Sequence, residues 1–141
     1  MAYLADTSAW IKSRQRSAPQ RLRDRFNDLL VSDQIVICDM VKLELLHHEG
    51  KPERLEDRRR DLDALPWCPI GAEQWKRALD VQQLLCTPGR ARHRSVKNAD
   101  YLIAAAAESA GLTVLHYDRD YETVTEVTGQ PNEWIASRGS L

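Results

Sequence analysis

An α/β fold around a mainly parallel β-sheet is the class this sequence predicts, on three observations. Short apolar runs at residues 2–5, Gln34–Cys38 and Leu112–Tyr117 have the length and composition of buried strands. Stretches with helical periodicity separate these runs, the order expected of strand–helix–strand crossovers. No repeat, low-complexity segment or linker interrupts the 141 residues, so a single domain is expected over 1–141.

The elements follow in order. After the strand at residues 2–5, Thr7 and Ser8 can cap a helix over Ser8–Arg14. Pro19 opens a second helix, in which Leu22, Phe26, Leu29 and Leu30 recur at helical spacing and mark a core face. Gln34–Cys38 reads as a buried strand, and Asp39 as the cap of a helix carrying Glu44, with Val41, Leu45 and His48 on one stripe. Pro52 opens a helix containing Arg58, Arg59 and Arg60, whose acidic neighbours make it a solvated face. Leu65–Ile70 is a connector or short strand broken by Pro66 and Pro69. Gly71–Leu85 is helical, with Trp75, Leu79 and Gln82 in register; Thr87-Pro88-Gly89 ends it, and Arg90–Arg94 is a basic loop. Ser95 can cap a helix that contains Asp100 and stops at Gly111. After the strand at Leu112–Tyr117, a last helix begins at Asp118 or Arg119, and Gly129-Gln130-Pro131 leads into a tail.

Composition bounds the function classes. A net charge of −1 supplies no global basic field for nucleic acid, although a bound metal ion can supply positive charge locally. Cys38, Cys68 and Cys86 are odd in number and widely spaced, which suits thiols in a reducing compartment and not a disulfide frame or zinc site. Asp6 interrupts the apolar start too early for a signal peptide, and no run reaches the ~20 apolar residues of a membrane helix. A cytoplasmic protein with no membrane association is expected.

Four acids stand where such a fold gathers function. Asp6 and Asp118 close apolar strands; Glu44 and Asp100 lie on helices. In open α/β sheets, ligands bind beyond the carboxyl ends of the strands, so these acids are expected in one pocket. Each alone has a structural reading, as a helix cap or a solvated helix residue. The run Leu102–Ala107 after Asp100, however, is so apolar that its helix must be buried almost all round. A carboxylate there needs a partner. No Lys or Arg is obviously dedicated to it, so a hard divalent cation is the expected one. His47 and His48 are adjacent and do not share a helix face, and His116 reads as structural. The four tryptophans read as packing residues.

The segments LADTS, LELL, ADYLIAAAAE and LTVLHYDRDYE, in this order, resemble the successive motifs of PIN-domain ribonucleases, and with the small size and the tail they are most similar to the VapC toxins of type II toxin–antitoxin modules. The resemblance implies a PIN-like fold and a metal-dependent endoribonuclease. It carries the catalytic and metal-binding roles onto Asp6, Glu44, Asp100 and Asp118, with Mg²⁺ as cofactor and Mn²⁺ as substitute. The fourth acid is Asp118 or Asp120, Asp118 being preferred for its strand-end position. Thr7 and Ser8 match the auxiliary polar residues that follow the first acid. The resemblance also implies water-attack hydrolysis of transfer or ribosomal RNA, with 5′-phosphate and 3′-hydroxyl ends. A homodimer and a VapB-type antitoxin complete the picture. Arg90, Arg92, Arg94 and Lys97 are candidates for contacts to RNA phosphates. Two alternatives remain: a PIN-like domain that binds RNA or protein without catalysis, and a receiver-like Mg²⁺-binding signalling domain. The second lacks paired acids after its first strand and a Lys after its last.

Overall fold

Strand length here is set by how quickly each apolar run meets a residue that turns the chain. The run at the start forms β1 (Tyr3–Ala5), and Asp6 ends it by capping α1 (Thr7–Arg14) through its own carboxylate, which accepts the Ser8 N–H. The cap is therefore Asp6 and not Thr7 or Ser8, because the residue with extended backbone before the first turn is the one whose side chain can reach back. Pro19 precedes α2 (Gln20–Val31), which buries Leu22 and Phe26. The expected strand at Gln34–Cys38 is shorter, β2 (Ile35–Val36), and Ile37 makes only an isolated bridge to Trp67. Next come α3 (Asp39–Leu46), which leaves His48 outside its buried stripe, and α4 (Pro52–Asp63). The structure is a computed structural model and describes residues 1–141.

Then follow α5 (Ala72–Leu85), a small hairpin of β3 (Cys86–Thr87) and β4 (Arg90–Ala91), and a 3₁₀ turn at Arg92–Ser95. The basic loop is thus partly structured. The helix α6 (Asn98–Ala110) starts after Lys97 without a side-chain cap, so Ser95 does not cap it. Strand β5 (Thr113–His116), helix α7 (Asp120–Thr128) and strand β6 (Asn132–Trp134) complete the chain. Strand β6 lies in what the sequence reads as tail; its residues are polar or aromatic and only half-buried, so no apolar run marks it.

The main sheet has the order β2-β1-β5-β6, and every pairing is parallel. The connection from β1 leaves towards β2, and the one from β5 leaves the other way, towards β6. A crevice opens where the two directions part, at the carboxyl ends of β1 and β5. Thirty buried residues form one core cluster drawn from the sheet and the helices. At its centre α6 buries eight consecutive residues, Asp100–Ala107, and the small side chains of Ala104–Ala107 let helices and sheet approach it closely.

Two packing expectations are corrected. On α5 the buried residues are Gln74, Ala78, Val81 and Leu85, while Trp75 and Leu79 are exposed by 54% and 62%. The stripe Trp75, Leu79 and Gln82 instead lines an open groove of about 330 Å³ with Met40, Ala99 and Leu102. Trp67 is likewise exposed, and only Trp10 is fully in the core.

Gly111 ends α6 in the left-handed region at φ 68°, where its N–H and that of Leu112 both return to the Ala107 carbonyl. A side chain at positive φ is strained. Gly111→Ala should lower stability by about 1 kcal/mol in urea unfolding, without moving the pocket.

Candidate active site

The crevice gathers Asp100, Asp118 and Asp120, with Asp6 joined to Asp100 through Tyr121; Glu44 is tied in only through Thr7, the residue after Asp6. Asp6 and Asp100 are each 3% exposed and Asp120 is 4% exposed. Oxygens of Asp100, Asp118 and Asp120 all lie within 4.8 Å of one another. The two readings of the fourth acid are therefore not exclusive in space: both Asp118 and Asp120 face Asp100.

Each acid is held by a specific neighbour. On Asp6, Oδ2 accepts from the Ser8 N–H at 3.0 Å and the Ser8 hydroxyl at 2.5 Å. Its Oδ1 accepts from the Tyr121 hydroxyl at 2.6 Å. That hydroxyl also stands 3.2 Å from Asp100 Oδ1, so it bridges the first and third acids. Asp118 Oδ1 accepts the Asp120 N–H at 3.0 Å, which shapes the start of α7, while the Asp118 N–H donates to His116 Nδ1 at 3.0 Å. His116 is buried, and with Nδ1 accepting, its Nε2–H donates to Asn132 at 2.7 Å. Burial holds the His116 pKa below the ordinary value, so the ring is neutral and serves as a brace. The Thr7 hydroxyl donates to Glu44 Oε1 at 2.8 Å across the join of α1 and α3. Ser8 accepts the Tyr117 N–H at 2.8 Å and so links α1 to the end of β5.

The electrostatics follow from crowding. Burial, and then the charge of Asp6, push the Asp100 carboxyl up to about 9. Burial also works to raise Asp120, but hydrogen bonds from Asp100 and from the Lys97 N–H, with the Lys97 ammonium, outweigh it and hold Asp120 low. Lys97 is the cation the sequence did not dedicate to Asp100. Its Nζ lies 2.5 Å from Asp118, 3.2 Å from Asp120 and 3.5 Å from Asp100. Lys97, a candidate for RNA phosphates, is thus paired with the acidic cluster while its side chain stays 64% exposed. The 3.5 Å contact is to Asp100 Oδ2, which is buried and has no hydrogen bond to any nitrogen. A buried carboxylate oxygen among three converging acids, with only the ammonium of an exposed lysine beside it, suits a hard divalent cation.

The basic segment divides similarly. Arg92 is paired with Glu126 of α7, while Arg90 and Arg94 carry no ion pair and are exposed. A cation the sequence did not single out, Lys12, stands 5.3 Å over the Tyr117 ring without an ion pair. It lies one helical turn beyond Ser8. Tyr121 was also missed, since an aromatic residue on an amphipathic helix carries no mark of a polar role.

This sheet order with acids at its crevice defines a PIN domain, and the PIN domain family model matches residues 3–127. Ribonuclease VapC18 of Mycobacterium tuberculosis is 43% identical over 141 residues, all of both chains. Ribonuclease VapC21 of the same species is 34% identical over 98% of this chain and 96% of its own. Among solved structures, DNA-bound VapBC from Salmonella typhimurium superposes with a TM-score of 0.70 at 21% identity, over 96% of this chain and 99% of that one. VapBC-1 from nontypeable Haemophilus influenzae gives 0.71 at 18% identity, over 96% and 98%. The chain belongs to the PIN-domain family and, within it, to the VapC ribonucleases. The receiver-like reading is thereby set aside. No helix is long and apolar enough to cross a membrane.

Proposed function

We propose that residues 1–141 form one catalytic domain, a divalent-metal-dependent endoribonuclease acting as the toxin of a VapBC-type module. The observation that carries this reading is the convergence of Asp100, Asp118 and Asp120, with oxygens within 4.8 Å of one another, at the β1–β5 crevice of a VapC-family chain. Asp6, Asp100 and Asp118, with Asp120 and Glu44, are the residues that would hold Mg²⁺ or Mn²⁺. When bound, such an ion polarises a phosphate oxygen and makes a coordinated water more acidic. The chain's own part is positional. Ser8 and Tyr121 fix both oxygens of Asp6, Thr7 fixes Glu44, and His116 fixes the backbone that presents Asp118. Preorganisation of this kind spares the site a rearrangement when charge develops on the phosphate.

Arg90, Arg94 and Lys12 are candidates to grip RNA phosphates, which positions a strand without reading its bases. Transfer RNA and ribosomal RNA are both suitable substrates. A VapB-type antitoxin is the proposed partner. A homodimer is supported by the exposed Trp75–Leu79 stripe, an apolar surface that association would cover. In chelator, the purified chain should bind RNA without cutting it. Adding Mg²⁺ should start cleavage, with 5′-phosphate and 3′-hydroxyl ends on the products. Binding without cleavage under Mg²⁺ and Mn²⁺ alike would identify a non-catalytic RNA-binding PIN domain instead.

A further inference from the structure

We infer that Lys97 is a built-in competitor of the metal ion: its ammonium holds the metal-free site together and must be displaced before a divalent cation binds. The inference rests on the metal-binding reading above and adds the residue that sets its affinity. The three carboxylates that offer mutually adjacent oxygens, Asp100, Asp118 and Asp120, are the same three that Lys97 pairs with. One position cannot hold both cations. The pairing is built in: Lys97 immediately precedes α6, and its backbone N–H also donates to Asp120 Oδ2 at 3.0 Å. This bond anchors the base of the side chain at the rim. Beyond it the side chain is 64% exposed, so the ammonium has a path outward that leaves the backbone in place.

Two opposed consequences follow. Without metal, Lys97 offsets the repulsion among the three acids and stabilises the fold. With metal, the ion must first break the Lys97 pairs, so affinity is lower than the acids alone would give. Once displaced, the ammonium remains tethered at the mouth, where an anionic substrate arrives.

Calorimetric titration of the full chain with MnCl₂ tests this. Lys97→Met should bind Mn²⁺ at least about tenfold more tightly than the unsubstituted chain, and should melt at a lower temperature in chelator. Lys97→Arg, which keeps the charge, should stay within about threefold of the unsubstituted affinity. Equal or weaker Mn²⁺ binding by Lys97→Met would overturn the inference. Side-chain ammonium NMR of the unsubstituted chain gives a second reading that needs no variant. The Lys97 ammonium signal should be protected from exchange in chelator and lose that protection with saturating Mg²⁺. Protection that persists with Mg²⁺ bound would also overturn it. Asp100→Asn separates the two levels: if it binds Mn²⁺ as tightly as the unsubstituted chain, the metal-site reading fails and the inference with it.

Discussion

Asp100→Asn should abolish RNA cleavage, by about a thousandfold or more, and yet leave the metal-free protein more stable at pH 8 than the unsubstituted chain. The loss follows if the buried Asp100 oxygen that faces Lys97 is a metal ligand that an amide replaces poorly. The gain follows from linkage. The carboxyl sits at about 9 in the fold, chiefly through burial and then through the charge of Asp6. In the unfolded chain it returns to about 3.9. Because the folded value is the higher one, the favourable contribution of the bound proton is fully present below about pH 4. It is lost as pH rises through the window up to about 9. Metal-free stability should therefore fall as pH climbs from 5 to 8, by on the order of 2–4 kcal/mol. Asn carries no charge, so its variant should lack this slope. Saturating Mg²⁺ should reverse the order, because an ion that binds only the folded state adds about 2.7 kcal/mol at a hundred times its Kd. Urea unfolding at pH 5 and 8, with chelator and with Mg²⁺, reads all three effects. A variant less stable in chelator at pH 8 would make Asp100 a structural residue.

Much of this arrangement is visible before folding, and the parts that are not share a cause. Asp6 and Asp118 are legible because each closes an apolar run, and the parallel sheet fixes what lies at its carboxyl ends. Asp100 is legible because a charge at the head of a uniformly apolar helix contradicts its surroundings. The partners are less so. Lys97 reads as one more cation in a basic stretch, and only the approach of the β5–α7 turn brings Asp118 and Asp120 against it. Arg92 looks free until α7 presents Glu126. Tyr121 goes unnoticed and Trp75 is misread: one aromatic carries a polar task inside the core, and the other lies outside it. Periodicity reports which residues share a face, but not which of two faces the tertiary structure will cover. Strand β6 is hidden for a related reason. Its pairing with β5 rests on backbone hydrogen bonds and on Trp134 packing against His116 and Tyr117, with no apolar run of its own.

Tyr121→Phe should cost about 1–3 kcal/mol in chelator, and markedly less with Mn²⁺ bound, although it removes a single oxygen. The ring is buried and packs on His116 at 5.0 Å between centroids, a contact Phe retains. Only the hydroxyl is lost, and it is the donor to Asp6 Oδ1 and the group that stands between Asp6 and Asp100. Asp6 has Ser8 on its other oxygen but nothing else on this one, so a buried carboxylate oxygen is left unsatisfied and faces a second acid. A metal ion bound by the same two carboxylates would supply the positive charge that the hydroxyl dipole supplied in part, and so shrink the deficit. Cleavage should fall less than in Asp100→Asn, about tenfold, because every proposed ligand remains and only the spacing of two has loosened. Paired urea titrations with and without Mn²⁺ distinguish this role from simple packing. A deficit of equal size in both conditions would mean that the Tyr121 hydroxyl supports the core alone, and that Asp6 and Asp100 do not share an ion.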